Sequence, residues 1–307
     1  MRLVSFVPVG TKINFLSCRK LGLFLSVILC IGSSILFFSR GLNYGIDFEG
    51  GILIEVRTSQ NADISDMRAR LSGLGLGQVE LQEFGRPTDV LIRVERQSGD
   101  ADAQNRAVEK VRATLGNTVD YRRVEFVGPK VSSELVEAGV TAVLLALAAM
   151  LLYIWFRFEW QFGVGAVVAL IHDVVLTIGI FSLLGLEFNL STVAAILTIA
   201  GYSINDTVVV YDRVRENLRK FKVMDLIELL NLSLNDTLSR TLLTSITTLL
   251  ALGILYTFGG EVLKGFSFAM IWGVLVGTYS SLMVATPLLV QMNLRRVAFE
   301  NNDDGSV

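Results

Sequence analysis

The chain has 307 residues, 52% hydrophobic and 18% charged, with a formal net charge of −2. Soluble domains carry about 25% charged residues, so a soluble protein with an enlarged core is excluded: the deficit is concentrated in long uncharged runs. So small a net charge argues against a nucleic-acid partner, and one histidine with two cysteines excludes a Cys/His metal cluster.

Residues 21–38 carry no charge over nearly the ~20 residues that cross a bilayer. Arg2, Lys12, Arg19 and Lys20 precede them. Phe37-Phe38 is bulky where a cleavage site wants small residues, and no A-x-A pattern follows. The segment reads as an uncleaved anchor with its N-terminus inside. Cys18 and Cys30 lie before and within it, neither in an exported segment, so no structural disulfide is expected.

Beyond the first span the pattern changes from continuous apolar to alternating. Residues 52–57 predict a strand and 62–71 an amphipathic helix closed by Gly73 and Gly75. Residues 78–84 and 88–95 predict strands joined by a turn with Gly85 and Pro87; 101–115 predict a helix ended by Gly116, and 118–127 a strand. The order β-α-β-β-α-β is that of the ferredoxin-like split βαβ fold. Gly128-Pro129 marks the return to the membrane.

Further apolar runs at 138–156, 162–186, 190–210, 241–258 and 265–290 bring the expected spans to six. Arg157, then Arg213, Arg215, Arg219, Lys220 and Lys222, then Arg295 and Arg296, occupy the loops placed inside. The short loops placed outside hold only Lys264 as a cation. The bias sets both termini in the cytoplasm. The expected fold class is a polytopic α-helical membrane protein of six transmembrane helices with one small exported α+β domain. Its parts are a cytoplasmic N-terminus at 1–20, helix 1 at 21–40, an exported domain at 41–130, helices 2–6 at 131–291 and a cytoplasmic tail at 292–307. Gly273-x-x-x-Gly277, Ser280-Ser281, Gly163, Gly165 and Ala169 are small residues that permit close helix approach. No Gly-rich loop ending in Gly-Lys-Ser/Thr is present, and neither cofactor nor metal is expected.

Three polar constellations interrupt the spans. Asp206, beside Asn205 and Ser203, lies seven residues before Arg213, roughly 10 Å deeper at ~1.5 Å rise per residue. A charge there costs at least ~2.5–3.5 kcal/mol on insertion scales, so such residues are held for ion or proton paths. Arg240 opens the fifth apolar run, and Thr237, Thr241, Thr244 and Thr248 share one helical face next to it. Asp206 and Arg240 are expected to face each other across a polar groove; the competing reading lets Arg240 snorkel to lipid phosphates while the threonines hold helices together. His172-Asp173 lies in the middle of the third span, and an ordinary pKa of ~6.5 suits the histidine to carry protons. The competing reading is that the pair only orients neighbouring helices.

These motifs, with Gly45-Ile46-Asp47-Phe48-Glu49-Gly50-Gly51, Val127-Gly128-Pro129-Lys130-Val131, Gly201-Tyr202-Ser203-Ile204-Asn205-Asp206 through Tyr211-Asp212-Arg213, and Leu238-Ser239-Arg240-Thr241, together resemble the SecD/SecF family of the resistance-nodulation-division superfamily. Glu49 stands where that family is expected to have threonine, and Tyr211 where phenylalanine is common. The resemblance implies a bacterial inner-membrane accessory subunit without enzyme activity. It implies SecD, the SecYEG channel, YajC and an unfolded preprotein as partners, and use of the proton gradient, with Asp206 and Arg240 at the family's proton-pathway positions. Three other readings compete. A drug or small-molecule transporter of the superfamily commonly has larger exported domains. An intramembrane aspartyl protease using Asp173 and Asp206 wants a Gly-x-Gly-Asp motif, absent here. A passive structural subunit would have no ion path.

Overall fold

The computed structural model describes residues 11–99, 101–292 and 294. Of the charges that orient the spans, Arg2, Arg295 and Arg296 lie outside the described residues. The chain divides into a helical unit, formed by residues up to Asn43, Val143–Leu186 and from Ser191 onward, and a mixed unit of Tyr44–Ala142 with Glu187–Leu190.

Among the described residues, six helices are long and apolar enough to cross a membrane: Phe15–Arg40, Val131–Arg157, Trp160–Leu184, Leu190–Lys220, Leu226–Phe258 and Leu263–Gln291. This is a multi-pass membrane protein. The first span is α1 (Arg19–Arg40), led by a 3-10 turn over Phe15–Cys18 that Asn14 caps through the Ser17 backbone N–H.

In the mixed unit, β1 (Gly51–Thr58), α2 (Ile64–Ser72), β2 (Val79–Phe84), β3 (Arg86–Val94), α3 (Ala101–Leu115) and β4 (Val119–Val127) follow the expected order. The sheet runs β2-β3-β1-β4 with every neighbour antiparallel, the split βαβ topology. Ile52, Ile54 and Val56 alternate onto one face with Val90, Ile92 and Val94, and Leu71, Val111 and Leu115 of the two helices close over them. Gly85 makes the hairpin turn, but Pro87 belongs to β3; it sits past the end of the β1 ladder, where a missing N–H costs nothing. A short helix over Ile46–Glu49, unannounced by periodicity, precedes Gly50 and Gly51. Asp47 Oδ2 accepts from the Leu190 backbone N–H at 2.9 Å, and its carbonyl accepts from Ser132 at 2.8 Å.

The remaining helices are α4 (Pro129–Arg157), α5 (Trp160–Leu184), α6 (Leu190–Lys220), α7 (Leu226–Phe258) and α8 (Glu261–Ser280). A π-helical segment, Ser281–Ala285, and α9 (Thr286–Gln291) complete the sixth span. The fifth helix begins at Leu226, capped by Asp225, well before the apolar run at Thr241. The added turns bind the segment ahead of α1. Asn235 both accepts from Ile13 N and donates to Ile13 O (2.9 Å each), and Asn231 accepts from Leu16 N at 3.1 Å. Phe158, Phe162 and Tyr211 cluster with centroids 5.0–6.1 Å apart, Tyr211 standing edge to face with both phenylalanines.

Candidate functional site

Helix α6 carries the site because its polar residues fall on its buried side. Ser203, Asp206 and Thr207 recur at three- and four-residue spacing and are all buried, while Asn205, about 100° round the helix, is exposed. Close approach lets the hydroxyls meet. Gly273 packs against Ile199, and a Cβ on Gly277 would lie 3.2 Å from that of Ser203. The Gly-x-x-x-Gly pair of the sixth span therefore brings the serines of that span to α6.

Asp173 is the first centre, with no exposed surface. Its Oδ2 accepts from Ser203 at 2.5 Å and Ser280 at 2.8 Å, and its Oδ1 lies 2.8 Å from Nδ1 of His172. Three helices, α5, α6 and α8, meet on one carboxyl group, and both its oxygens are occupied. His172 stacks on Tyr279 with centroids 6.0 Å apart, and its Nε2 has no hydrogen-bond partner among the described residues. Adjacent helical residues diverge, yet the ring turns back to the next side chain.

Asp206 is the second centre, 6% exposed. Oδ1 accepts from Thr241 Oγ1 at 2.8 Å, while Oδ2 is buried without a hydrogen-bond partner among the described residues. Thr207, the next residue, shares a 2.9 Å hydrogen bond with Ser281. The two carboxyl groups thus lie in one seam of hydroxyls, Ser203, Ser280, Thr207, Ser281 and Thr241, that spans α5 to the sixth span, without sharing a hydrogen-bond partner. A further layer joins Tyr202, Ser245 and Thr278 at 3.1 and 2.9 Å.

Arg240 is exposed and, among the described residues, makes no ion pair within 4 Å; it acts on Asp206 only through space. The residue next to Arg240, Thr241, is the one on α7 whose hydroxyl reaches the carboxylate. Of the threonine face, Thr237 and Thr241 are buried. Thr244 is exposed, and its hydroxyl donates back to the carbonyls of Arg240 and Thr241 at 3.1 and 2.9 Å.

Ser281 reaches the seam from the first residue of the π segment. Pro287 explains the widened turn: it has no N–H to give and its ring crowds the carbonyl four residues earlier. Thr286 Oγ1 bonds the Ser281 carbonyl at 2.9 Å, five residues back. In the sequence Ser280 and Ser281 stand out only as small packing residues, and Thr207 does not stand out at all. The signal that was available is a proline inside an apolar span. Such π-bulges frequently mark functional sites.

Two family models match the chain: "Protein export membrane protein SecD/SecF, C-terminal" over residues 107–295 and "SecD/SecF GG Motif" over residues 35–62. The second covers the turn that carries Asp47, Gly50 and Gly51. Similar proteins include the protein translocase subunits SecF of Rickettsia bellii (47% identical over 290 residues, 93% of this chain and 95% of that one) and Rickettsia felis (46% over 297 residues, 95% and 96%). The crystal structure of SecDF from Thermus thermophilus, described as a translocon-associated membrane protein, superposes with a TM-score of 0.86 at 37% identity. It matches 94% of this chain, which spans 40% of that longer one. The chain belongs to the SecD/SecF family of membrane proteins.

Proposed function

We infer that the chain is an accessory subunit of the Sec protein-export machinery in a bacterial inner membrane, and that with SecD it uses the proton gradient to drive late preprotein translocation. The single observation that carries the proton reading is Asp206: a buried carboxyl group with one oxygen held by Thr241 and the other bare. The names of its relatives support the export role. The SecDF chain, of which this chain spans 40%, supports SecD as the partner that supplies the remainder. SecYEG, YajC and the moving preprotein are further partners on this reading. Both termini face the cytoplasm, as the loop charges favour.

On this reading the proton is taken up at the bare oxygen. Oδ1 already receives the Thr241 hydrogen, so Oδ2 is the atom to be protonated. Withdrawal from water favours the neutral form of a carboxyl group and a nearby guanidinium the charged form; Asp206 is subject to both. Protonation removes the pull on Arg240 and weakens the bond to Thr241, which frees α6 and α7 to repack. One charge moved through the membrane field gains about 2.3 kcal/mol per 100 mV, comparable to the few kcal/mol that separate two packed conformers. The mixed unit, joined to the bundle through α1 and α4, would hold or release the preprotein as the helices shift.

The test is Asp206→Asn in the full chain with its SecD partner. Gradient-dependent export in inverted or sealed membrane vesicles is expected to fall to its gradient-independent rate while the complex still assembles. Wild-type export by the variant would refute the proton role and leave a passive subunit.

A further inference from the structure

Where α4 ends and α6 emerges from the bundle, a cavity of ≈480 Å³ is lined by Arg157, Asp212, Arg215, Glu216, Arg219 and Lys220. Its two acids are already engaged. Asp212 is held by Arg157 at 2.7 Å, and Glu216 by Arg213 at 2.6 Å. Arg215, Arg219 and Lys220 have no carboxylate partner among the described residues. Arg215 is nonetheless fixed: its Nη1 donates to the Arg157 carbonyl at 3.2 Å and its guanidinium lies 5.4 Å over the Phe158 ring, which Arg157 also covers at 4.9 Å. The protein positions cations here without neutralising them.

The surface beside the cavity is apolar and aromatic. Tyr153, Trp155, Phe156 and Trp160 are 53%, 76%, 85% and 56% exposed, and Leu144, Leu145 and Leu152 continue an uncovered apolar face along α4. Exposed aromatic rings at the end of a span mark the headgroup level of a bilayer, and basic pockets between spans at that level suit anionic headgroups. A free phosphate would use the cations alone and leave the adjoining apolar face without a role. We propose that this cavity binds the phosphodiester headgroup of an anionic phospholipid, whose acyl chains lie along α4.

The experiment titrates the full chain in detergent with phosphatidylglycerol and with phosphatidylcholine, and reads bound lipid by native mass spectrometry. Each basic residue near a membrane surface contributes about fivefold in affinity for anionic lipid. Phosphatidylglycerol is therefore expected to bind in clear preference, and the double substitution R219Q/K220Q to weaken it about 25-fold. The swap R219K/K220R keeps the charge and should keep the preference. Equal binding of the two lipids by the unaltered chain overturns the proposal without relying on any variant. So does an undiminished preference in R219Q/K220Q. Displacement of phosphatidylglycerol by millimolar inorganic phosphate also overturns it, since the cavity would then be a site for a free anion.

Discussion

Thr241 donates its hydroxyl hydrogen to Asp206 Oδ1 at 2.8 Å, while Arg240, one residue earlier on the same helix, is exposed. The tie between α6 and α7 is a neutral donor on a carboxylate, with the guanidinium acting from further off. Replacing the donor should separate the two effects. Thr241→Val takes the hydroxyl donor from the buried carboxyl group and should cost about 1–3 kcal/mol of stability, seen as a lowered thermal midpoint of the full chain in nanodiscs. Thr241→Ser keeps the hydroxyl and should stay near the wild type. Gradient-driven export should follow the same order.

Asp173 ties three helices, so its loss should be structural first. Asp173→Ala strands the hydroxyl of Ser203 and the ring of His172 in a buried site, while the Ser280 hydroxyl falls back on the Gly277 carbonyl 3.1 Å away. At about 1 kcal/mol or more for each orphaned group, a destabilisation of roughly 2 kcal/mol is expected, together with reduced accumulation in the membrane. An alanine variant as stable as the parent would show that the three bonds contribute nothing net.

Pro287→Ala tests the π segment. With the ring gone and an N–H supplied, a regular helix becomes available through Ser281–Ala285. Closing the wide turn should rotate Ser281 off Thr207. The expected outcome is impaired export in a protein that is no less stable. Cysteine pairs introduced at positions 207 and 281 should cross-link readily in the parent and poorly in the proline variant.

The paired glycines after the first span lend themselves to a steric test. Gly51 has φ +121°, and a Cβ there would stand 2.8 Å from the Val94 carbonyl, at the start of the β1–β3 ladder. Gly51→Ala should cost about 1–3 kcal/mol and raise hydrogen exchange at the neighbouring ends of β1 and β3.

Acid should weaken the mixed unit through Asp89. The Arg57 guanidinium, bound to both its oxygens at 2.5 and 2.7 Å, holds this buried carboxyl below the ordinary aspartate range. The contribution is therefore complete above the unfolded value of ~3.9 and disappears as pH falls through the lower native value. Glu187 tilts the other way. Burial first, only partly offset by Arg93 at 3.5 Å, raises it, so its share of stability declines as pH rises from the ordinary glutamate value toward the raised one. Circular-dichroism melting of the full chain on a pH series should lose the acid limb in Asp89→Asn.

The outline was legible because the bilayer imposes one strong rule, a run of ~20 apolar residues, and the mixed unit another, alternation. Six spans and the strand order of the sheet follow from those. Asp206 was legible as a charge inside an apolar run. What faces it was not. Periodicity placed Arg240 next to a threonine face but gives no side-chain reach, and a long exposed guanidinium loses to a short buried hydroxyl. The start of α7 at Leu226 was hidden because its early turns are held by asparagines bound to the Ile13 and Leu16 backbone, a partner remote in sequence. The π segment hid behind ordinary apolar residues, and Pro287 was its one outward sign.

The bond from Asp47 to the Leu190 backbone joins residues 143 apart in sequence. Ribosomes release the acceptor first. By the time α6 is synthesised, Asp47 has long been available, so the leading N–H of that helix finds its cap waiting instead of lying bare. Mutating Asp47 should therefore be felt during biogenesis, as slow or incomplete insertion of the fourth span, before any effect on the finished protein's activity.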